Sequence, residues 1–397
     1  MSRNVAVLAA AATPVGRLQS RAGDELQNVE HEILGRLVIQ AVGEAGIDKT
    51  EVGSLVFSHP RVYTQQLYFA TFMANYLKLT ADAQVVEVMG NGMTGGLAFD
   101  QAMADVASGR ADVALALGIN METAAPTVEH MNRTMRTTGD IDFHTPFGFT
   151  PISWYAMDAT RYMHDTGAGR ADLAAIAVKD RGHAALNPIA QYRQPITLEE
   201  VLAQRPIVEP LGLYEVPPRS DGAACIVLAA EEVAVKLGRP YVRIRGRGFF
   251  HEGAHQINES GGDMTAFVAA QRAAATVYEQ AGAGAGDMDF AELYAPCTIV
   301  QILVAEALGL VPRGEGWRAA SAGEMQLGGR IPVCTSGGCL SRGHPPYVTP
   351  LYGMVEMVEQ LLGRAGRRQV EGARLGITSS ELGNYNAALL HVMEAAA

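Results

Sequence analysis

Four cysteines are all the sequence holds, and Cys225, Cys297, Cys334 and Cys339 nowhere form a Cys-x-x-Cys pair. A zinc site or a disulfide framework is therefore not expected. Long apolar runs are missing too. No stretch reaches the ~18 consecutive apolar residues that a membrane span needs, so none is expected. Basic blocks are scarce, and the formal net charge of −11 argues against a nucleic-acid partner, since nothing offsets repulsion from phosphates. The densest basic stretch, "GRAGRRQVEGAR" at 363–374, reads as a solvated loop before a strand. The alternative is that it, or the scattered arginines, grips a phosphorylated cofactor tail. "MSRNVAVLAAAATPVGR" has the Arg3 and Ala-x-Ala of a signal peptide, but its apolar run is short and meets Thr13-Pro14. A first buried strand in a cytoplasmic protein is the expectation.

What is present fits a folded α/β chain. The 397 residues are 48% hydrophobic and 18% charged, enough for two domains or one large domain with an insertion. In a first zone, 1–118, short apolar runs at Val5–Ala10, Ser54–Phe57, Val85–Val88 and Val113–Leu117 alternate with helical stretches near 28–46, 64–77 and 94–108. That rhythm implies a largely parallel sheet covered by helices. The middle zone, 119–235, is richer in Met, aromatics, Pro and His and lacks it, as a lid or loop domain would, with a return strand at Ala223–Leu228. In the third zone, 236–397, the alternation resumes: "YVRIRGRG", a helix over 264–282, Asp289–Leu293, helices over 297–308 and 351–363, and Arg374–Thr378. The similar order of the two outer zones suggests a duplicated fold.

Two motifs carry chemistry. At 85–118 a strand meets the turn Gly90-Asn91-Gly92 and then a helix, so unpaired amides and the positive helix end point at whatever binds there. Many enzymes place a nucleophile at such a turn; this chain places Gly92. In "SGGCLSRGHPP", 336–346, His344 stands between Gly343 and Pro345, where an imidazole serves as base, acid or oxyanion donor, or simply caps a turn. Asp221 in "RSDGAACIVLAAEEVA" more naturally satisfies amides at its own turn. The middle-zone histidines, His144 and His164, read as packing or surface residues with substrate contact as the alternative.

"TPVGR", "ASGRADVALALGINMET", "HAALNPIAQYRQPIT", "RPIVEPL", "SDGAACIVL", "SGGCLSRGHP" and "SSELGNYNAA" together resemble the thiolase superfamily, most closely its sterol-carrier and lipid-transfer branch. The resemblance implies two βαβαβαββ halves around a five-layer αβαβα core, with an inserted loop domain and usually a homodimer. It also implies coenzyme A thioesters as substrates, with no permanently bound cofactor. By the same resemblance the family's nucleophilic cysteine falls at or beside Gly92 and is lost, and its Gly-His-Pro histidine is His344. Tyr294 in "ELYAPCT" takes a polar position, and the last acid/base position falls near Ser380 or Glu381, with Gly383 offering an amide.

Without a thiolate at Gly92 no acyl-enzyme forms there, but the helix-start amides remain open to a carbonyl oxygen. Three readings follow. One is a cysteine-free carbon–carbon lyase or ligase on acyl-CoA, most naturally aldol or retro-aldol, with His344 and Tyr294 moving protons and Gly92, Asn91 and Gly383 around the thioester oxygen. The second is an acyltransferase, through a relocated Cys339 or Cys297 or by direct transfer. The third is a non-catalytic subunit of a thiolase-like complex. A small OB-fold acyl-CoA-binding protein or a second thiolase-like subunit is a possible partner, and His59 lies where the family's dimer loops near the site.

Overall fold

The computed structural model describes residues 3–18, 30–58, 66–124, 141–252 and 263–396. The first part of the chain forms β1 (Val5–Ala12), α1 (Glu30–Ala45), β2 (Ser54–Ser58), α2 (Phe69–Leu77), β3 (Gln84–Val88), α3 (Thr94–Ala107) and β4 (Val113–Met121). The middle part gives α4 (Pro151–Thr166), α5 (Arg170–Ala185), α6 (Leu198–Ala203), a small hairpin of β5 (Pro206–Val208) and β6 (Leu211–Gly212), then β7 (Asp221–Ala230). After α7 (Glu231–Leu237) come β8 (Tyr241–His251), α8 (Val268–Ala281), β9 (Phe290–Glu292), α9 (Thr298–Ala307) and α10 (Gly316–Ser321). The chain closes with α11 (Thr349–Leu361), β10 (Leu375–Leu382) and β11 (Ala387–Ala396).

Nine strands are hydrogen-bonded in the order β3-β2-β4-β7-β1-β8-β11-β10-β9. The order repeats itself about the β1–β8 contact. Moving outward on one side the strands are the first, fifth, fourth, second and third of their half. On the other side β8, β11, β10 and β9 follow the same sequence, and the parallel bridge of Ala291 to Val333 supplies the third place. Among the described residues the sheet pairing between the halves consists of two pairs on β1 and β8, Ala6 with Arg243 and Val7 with Val242.

Side-chain alternation explains the layers, because successive residues of a strand face opposite sides. On β4, Val113, Leu115, Leu117 and Ile119 face α1 and α2, whereas Ala114 and Ala116 face α3 and α11. On β7, Ala223, Cys225 and Val227 face the first layer and Ala224, Ile226 and Leu228 the second. Both strands are buried throughout, as expected where helices cover both faces. Helices α3 and α11 form the central layer. On the far side Leu390 and Val392 of β11 pack with α8, α9 and the middle-part helices. The result is the αβαβα stack that the sequence motifs imply.

Three expectations differ in detail. The helix expected over 64–77 begins at Phe69, and the one expected over 264–282 begins at Val268, because Tyr68 and Phe267 at their caps have φ of 54° and 47°. A left-handed residue cannot continue a right-handed helix. The middle zone is not mainly loop, since α4 and α5 are 16-residue helices. Their buried sides mix Tyr and Ala with charged residues such as Asp158, Lys179, Asp180 and Arg181 around Trp154, Leu173 and Ile176, which blurs the apolar period the sequence is read by.

Candidate active site

The loop between β3 and α3 brings Gly92 to the base of the site. Residues 91–93 make one tight helical turn before α3, with Asn91 at φ 45°. Thr94 Oγ1 donates to the Asn91 carbonyl at 2.6 Å and accepts from the Gly90 amide at 2.9 Å, which fixes the turn. First-turn amides of such a helix have no intrahelical acceptor. A Cβ built on Gly92 would lie 2.7 Å from Tyr294 Oη, 3.1 Å from Tyr294 Cζ and 3.1 Å from the Glu381 carbonyl. The glycine is therefore required by a neighbour: a phenol occupies the volume a side chain at 92 would fill.

Tyr294 sits between β9 and α9, anchored by its amide to Ser379 Oγ at 3.0 Å and by its carbonyl, which accepts from Tyr385 Oη. Its own Oη lies 2.9 Å from His344 Nε2, the rings meeting edge to face. His344 follows a wide π-helical turn at Gly338–Arg342 and is held by its amide donating to Ser220 Oγ at 2.9 Å. Burial, with the Arg342 cation adding to it, lowers His344 to about 3, so the imidazole is neutral near pH 7. Burial, and next the Glu381 carboxylate, keep the Tyr294 phenol well above its ordinary value. Beneath them Arg342 donates to Glu292 Oε1 at 3.3 Å and Ser336 Oγ at 3.1 Å.

Strand β10 puts the two candidates for the last acid/base position, Ser380 and Glu381, on opposite faces. Ser379 and Glu381 share one face, where Ser379 meets Tyr294 and Tyr385. Ser380 points the other way, against Gly96 of α3. Glu381 Oε1 accepts from Tyr155 Oη at 3.3 Å and Oε2 from the Tyr385 amide at 3.2 Å. Burial raises its carboxyl to about 7, so it is divided between acid and base at neutral pH.

These groups line one cavity of about 260 Å³, with Asn91, Gly92, Tyr294, His344, Glu381, Gly383 and Cys297 in its wall. Prolines 151, 217, 218, 296 and 346 make much of the remainder. Cys297 faces the space, but burial holds its thiol well above the ordinary range. Cys339 does not line the cavity, and burial raises it to about 12. Neither thiol is therefore ionised, as a sulfur nucleophile must be. His59 lies outside the described residues. His144 packs edge-on to Trp154, and His164 is exposed beside Asp165; neither lines the cavity. Asp221 accepts from the Thr123 amide at 2.7 Å and the Leu18 amide at 3.0 Å, a structural role. No residue of 363–374 lines the cavity; Arg368 is committed to a buried pair with Glu356. Among the described residues no cluster of His, Cys, Asp and Glu is arranged to hold a metal.

Sequence reasoning missed Tyr155, Glu122, Arg219 and Asn384, which also line the space. Tyr155 and Glu122 belong to the zone without a periodic signal. Asn384 was within reach: it stands beside Gly383 in the quoted "SSELGNYNAA".

Two family descriptions match the chain, "Thiolase, N-terminal domain" over residues 5–232 and "Thiolase C-terminal domain-like" over 252–395. An acetyl-CoA acetyltransferase of Methanothermobacter thermautotrophicus is 31% identical over 98% of this chain and 99% of its own length. A steroid side-chain-cleaving aldolase of Thermomonospora curvata is 36% identical over 55% of this chain and 56% of that protein. Among solved structures, an Ltp2-ChsH2(DUF35) aldolase superposes with a TM-score of 0.78 at 27% identity, covering 98% of this chain and 97% of that one.

Proposed function

The chain belongs to the thiolase family, and we propose that within it the protein is a carbon–carbon lyase or ligase acting next to an acyl-CoA thioester, without a cysteine nucleophile. The observation that carries this is the Tyr294 phenol 2.7 Å from where a Gly92 side chain would begin. A proton-bearing group stands where an acyl-enzyme route would need a sulfur. The aldolase relatives support the same direction.

The chemistry is a retro-aldol cleavage of a 3-hydroxyacyl-CoA, or its reverse. The thioester oxygen sits against the main-chain amides of Gly92 and Gly383. Glu381, raised toward neutrality, takes the proton of the C3 hydroxyl, because a base works best with its pKa near the working pH. The C3 oxygen becomes a carbonyl, the C2–C3 electron pair passes into an enolate, and its charge rests on the thioester oxygen in the amide cradle. Tyr294 donates its proton to C2, steadied by His344 Nε2, and regains one from Glu381. The hydroxyl proton has then moved to C2, and the protein returns to its starting state. No cofactor is consumed; coenzyme A enters and leaves as the thioester.

The test uses 3-hydroxy-3-phenylpropanoyl-CoA, with released benzaldehyde as the signal. Tyr294→Phe should abolish cleavage, whereas the double substitution Cys297→Ala and Cys339→Ala should retain it. Mixing with acetyl-CoA should leave the protein mass unchanged. An acyl adduct on Cys297, the thiol in the cavity wall, would instead favour the acetyltransferase reading that the archaeal relative represents. We extend the proposal to assembly: a homodimer in the cytoplasm, joined by a small acyl-CoA-binding partner, a two-protein arrangement that the likeness to the Ltp2-ChsH2(DUF35) aldolase supports.

A further inference from the structure

The hairpin turn between β10 and β11 is bent in an uncommon way. Gly383, Asn384 and Tyr385 have φ of 45°, 38° and 60° in succession. Glycine tolerates that conformation, asparagine less so, and tyrosine poorly. Such a run persists only where its surroundings over-determine it.

The ties are specific. The Tyr385 ring stacks on Phe267 at 4.9 Å, its Oη reaches the Tyr294 carbonyl, and its amide reaches Glu381. The fourth tie comes from α4, where Asp158 Oδ2 accepts from Asn384 Nδ2 at 3.1 Å. Asp158 is fully buried on a helix whose neighbouring residues Tyr155, Ala159 and Tyr162 belong to the apolar core. Its Oδ1 has no partner among the described residues, and neither has Asn384 Oδ1. A buried carboxyl with one oxygen unmet costs stability rather than adding to it, so packing gives no reason for it. What it holds is the turn, and the turn carries Gly383 and follows Glu381, both in the cavity wall.

We propose that Asp158 is a positioning residue: through Asn384 it clamps the left-handed turn and thereby sets the Gly383 main chain and the Glu381 carboxyl against the bound thioester. The proposal rests on the reading of this cavity as the thioester site. Because Tyr155 of the same helix hydrogen-bonds Glu381, α4 reaches both the acid–base residue and the turn behind it.

The test is made on the full-length protein with three variants. Asp158→Leu removes the carboxyl while keeping an apolar volume, Asp158→Asn keeps an oxygen for Asn384 Nδ2, and Asn384→Gly removes the tie from the other side while easing the backbone. Asp158→Leu and Asn384→Gly should speed amide exchange across 383–386 by about tenfold without substrate. They should lower kcat for the phenylpropanoyl probe by at least about tenfold with KM within about twofold. Asp158→Asn should keep most activity, and Asp158→Leu should unfold at no lower urea concentration than the wild type. Unchanged exchange in both tie-breaking variants overturns the proposal, as does faster exchange with kcat unaltered. Should Tyr294→Phe cleave the probe like the wild type, the reading of the cavity has failed, and the exchange data still decide whether Asp158 clamps the turn.

Discussion

Replacing Gly92 by alanine tests the central geometric claim by adding a single carbon. Its Cβ would lie 2.7 Å from Tyr294 Oη, and the phenol must retreat by roughly 0.7 Å to reach ordinary contact at 3.4 Å. It has no easy way out, since Tyr294 is buried and its Oη is bonded to His344 at 2.9 Å. Overpacking of this kind costs about 1–3 kcal/mol, and displacing an acid by most of an ångström lowers activity by about ten- to a hundredfold. Tyr294→Phe alone leaves His344 Nε2 without its phenol, at a cost of about 1–3 kcal/mol. In the double variant the oxygen that obstructs the new methyl is gone. The nearest remaining atoms are the ring carbon and the Glu381 carbonyl, each at 3.1 Å. Gly92→Ala should therefore cost about 1 kcal/mol less on the Tyr294→Phe background than on the wild type, a coupling of the size expected for touching residues. Equilibrium urea unfolding of the four proteins at one concentration measures it through the midpoints. Strict additivity would refute the placement of the phenol over Gly92 and the explanation of the glycine with it.

Other outcomes follow from the same site. With Glu381 raised to about 7, wild-type kcat/KM should climb as pH rises through that value, and Glu381→Gln should show low activity with no such limb. Because the folded carboxyl holds its proton more tightly than the unfolded one, its stabilising effect is complete below the unfolded pKa of 4.5 and is lost as pH rises to about 7. Urea midpoints of Glu381→Gln should therefore fall less over that interval than those of the wild type. Removing Arg342 with methionine leaves Glu292, whose side chain is 2% exposed, without its cation. A loss of about 3–5 kcal/mol is expected, with part recovered when Glu292→Gln is added, as thermal unfolding would show.

Much of the architecture is legible in the sequence because buried strands announce themselves as unbroken apolar runs; "GAACIVLAA" needs no partner to be read as a strand covered on both sides. The duplicated order becomes visible only through pairing, since Val333 takes the third-strand position by a lone bridge that no local pattern marks. In the site, the pairing of Tyr294 with His344 spans 50 residues and leaves no trace in spacing. The choice between positions 380 and 381 depends on the pleat of β10, because a shift of one residue exchanges the two faces. Tyr155 was hidden for a different reason: aromatic residues on α4 and buried charged residues on both helices, Asp158 on α4 and Lys179, Asp180 and Arg181 on α5, obscure the helical period that would have shown which side faces inward.

The junction of the two halves has a consequence for synthesis on the ribosome. Gly92 is contributed by the first half, whereas Tyr294, His344 and Glu381 belong to the second. An emerging polypeptide can thus complete the earlier half of the nine-stranded scaffold long before Tyr294, His344 and Glu381 are made, and the cavity wall closes only when the hairpin of β10 and β11 docks beside β8.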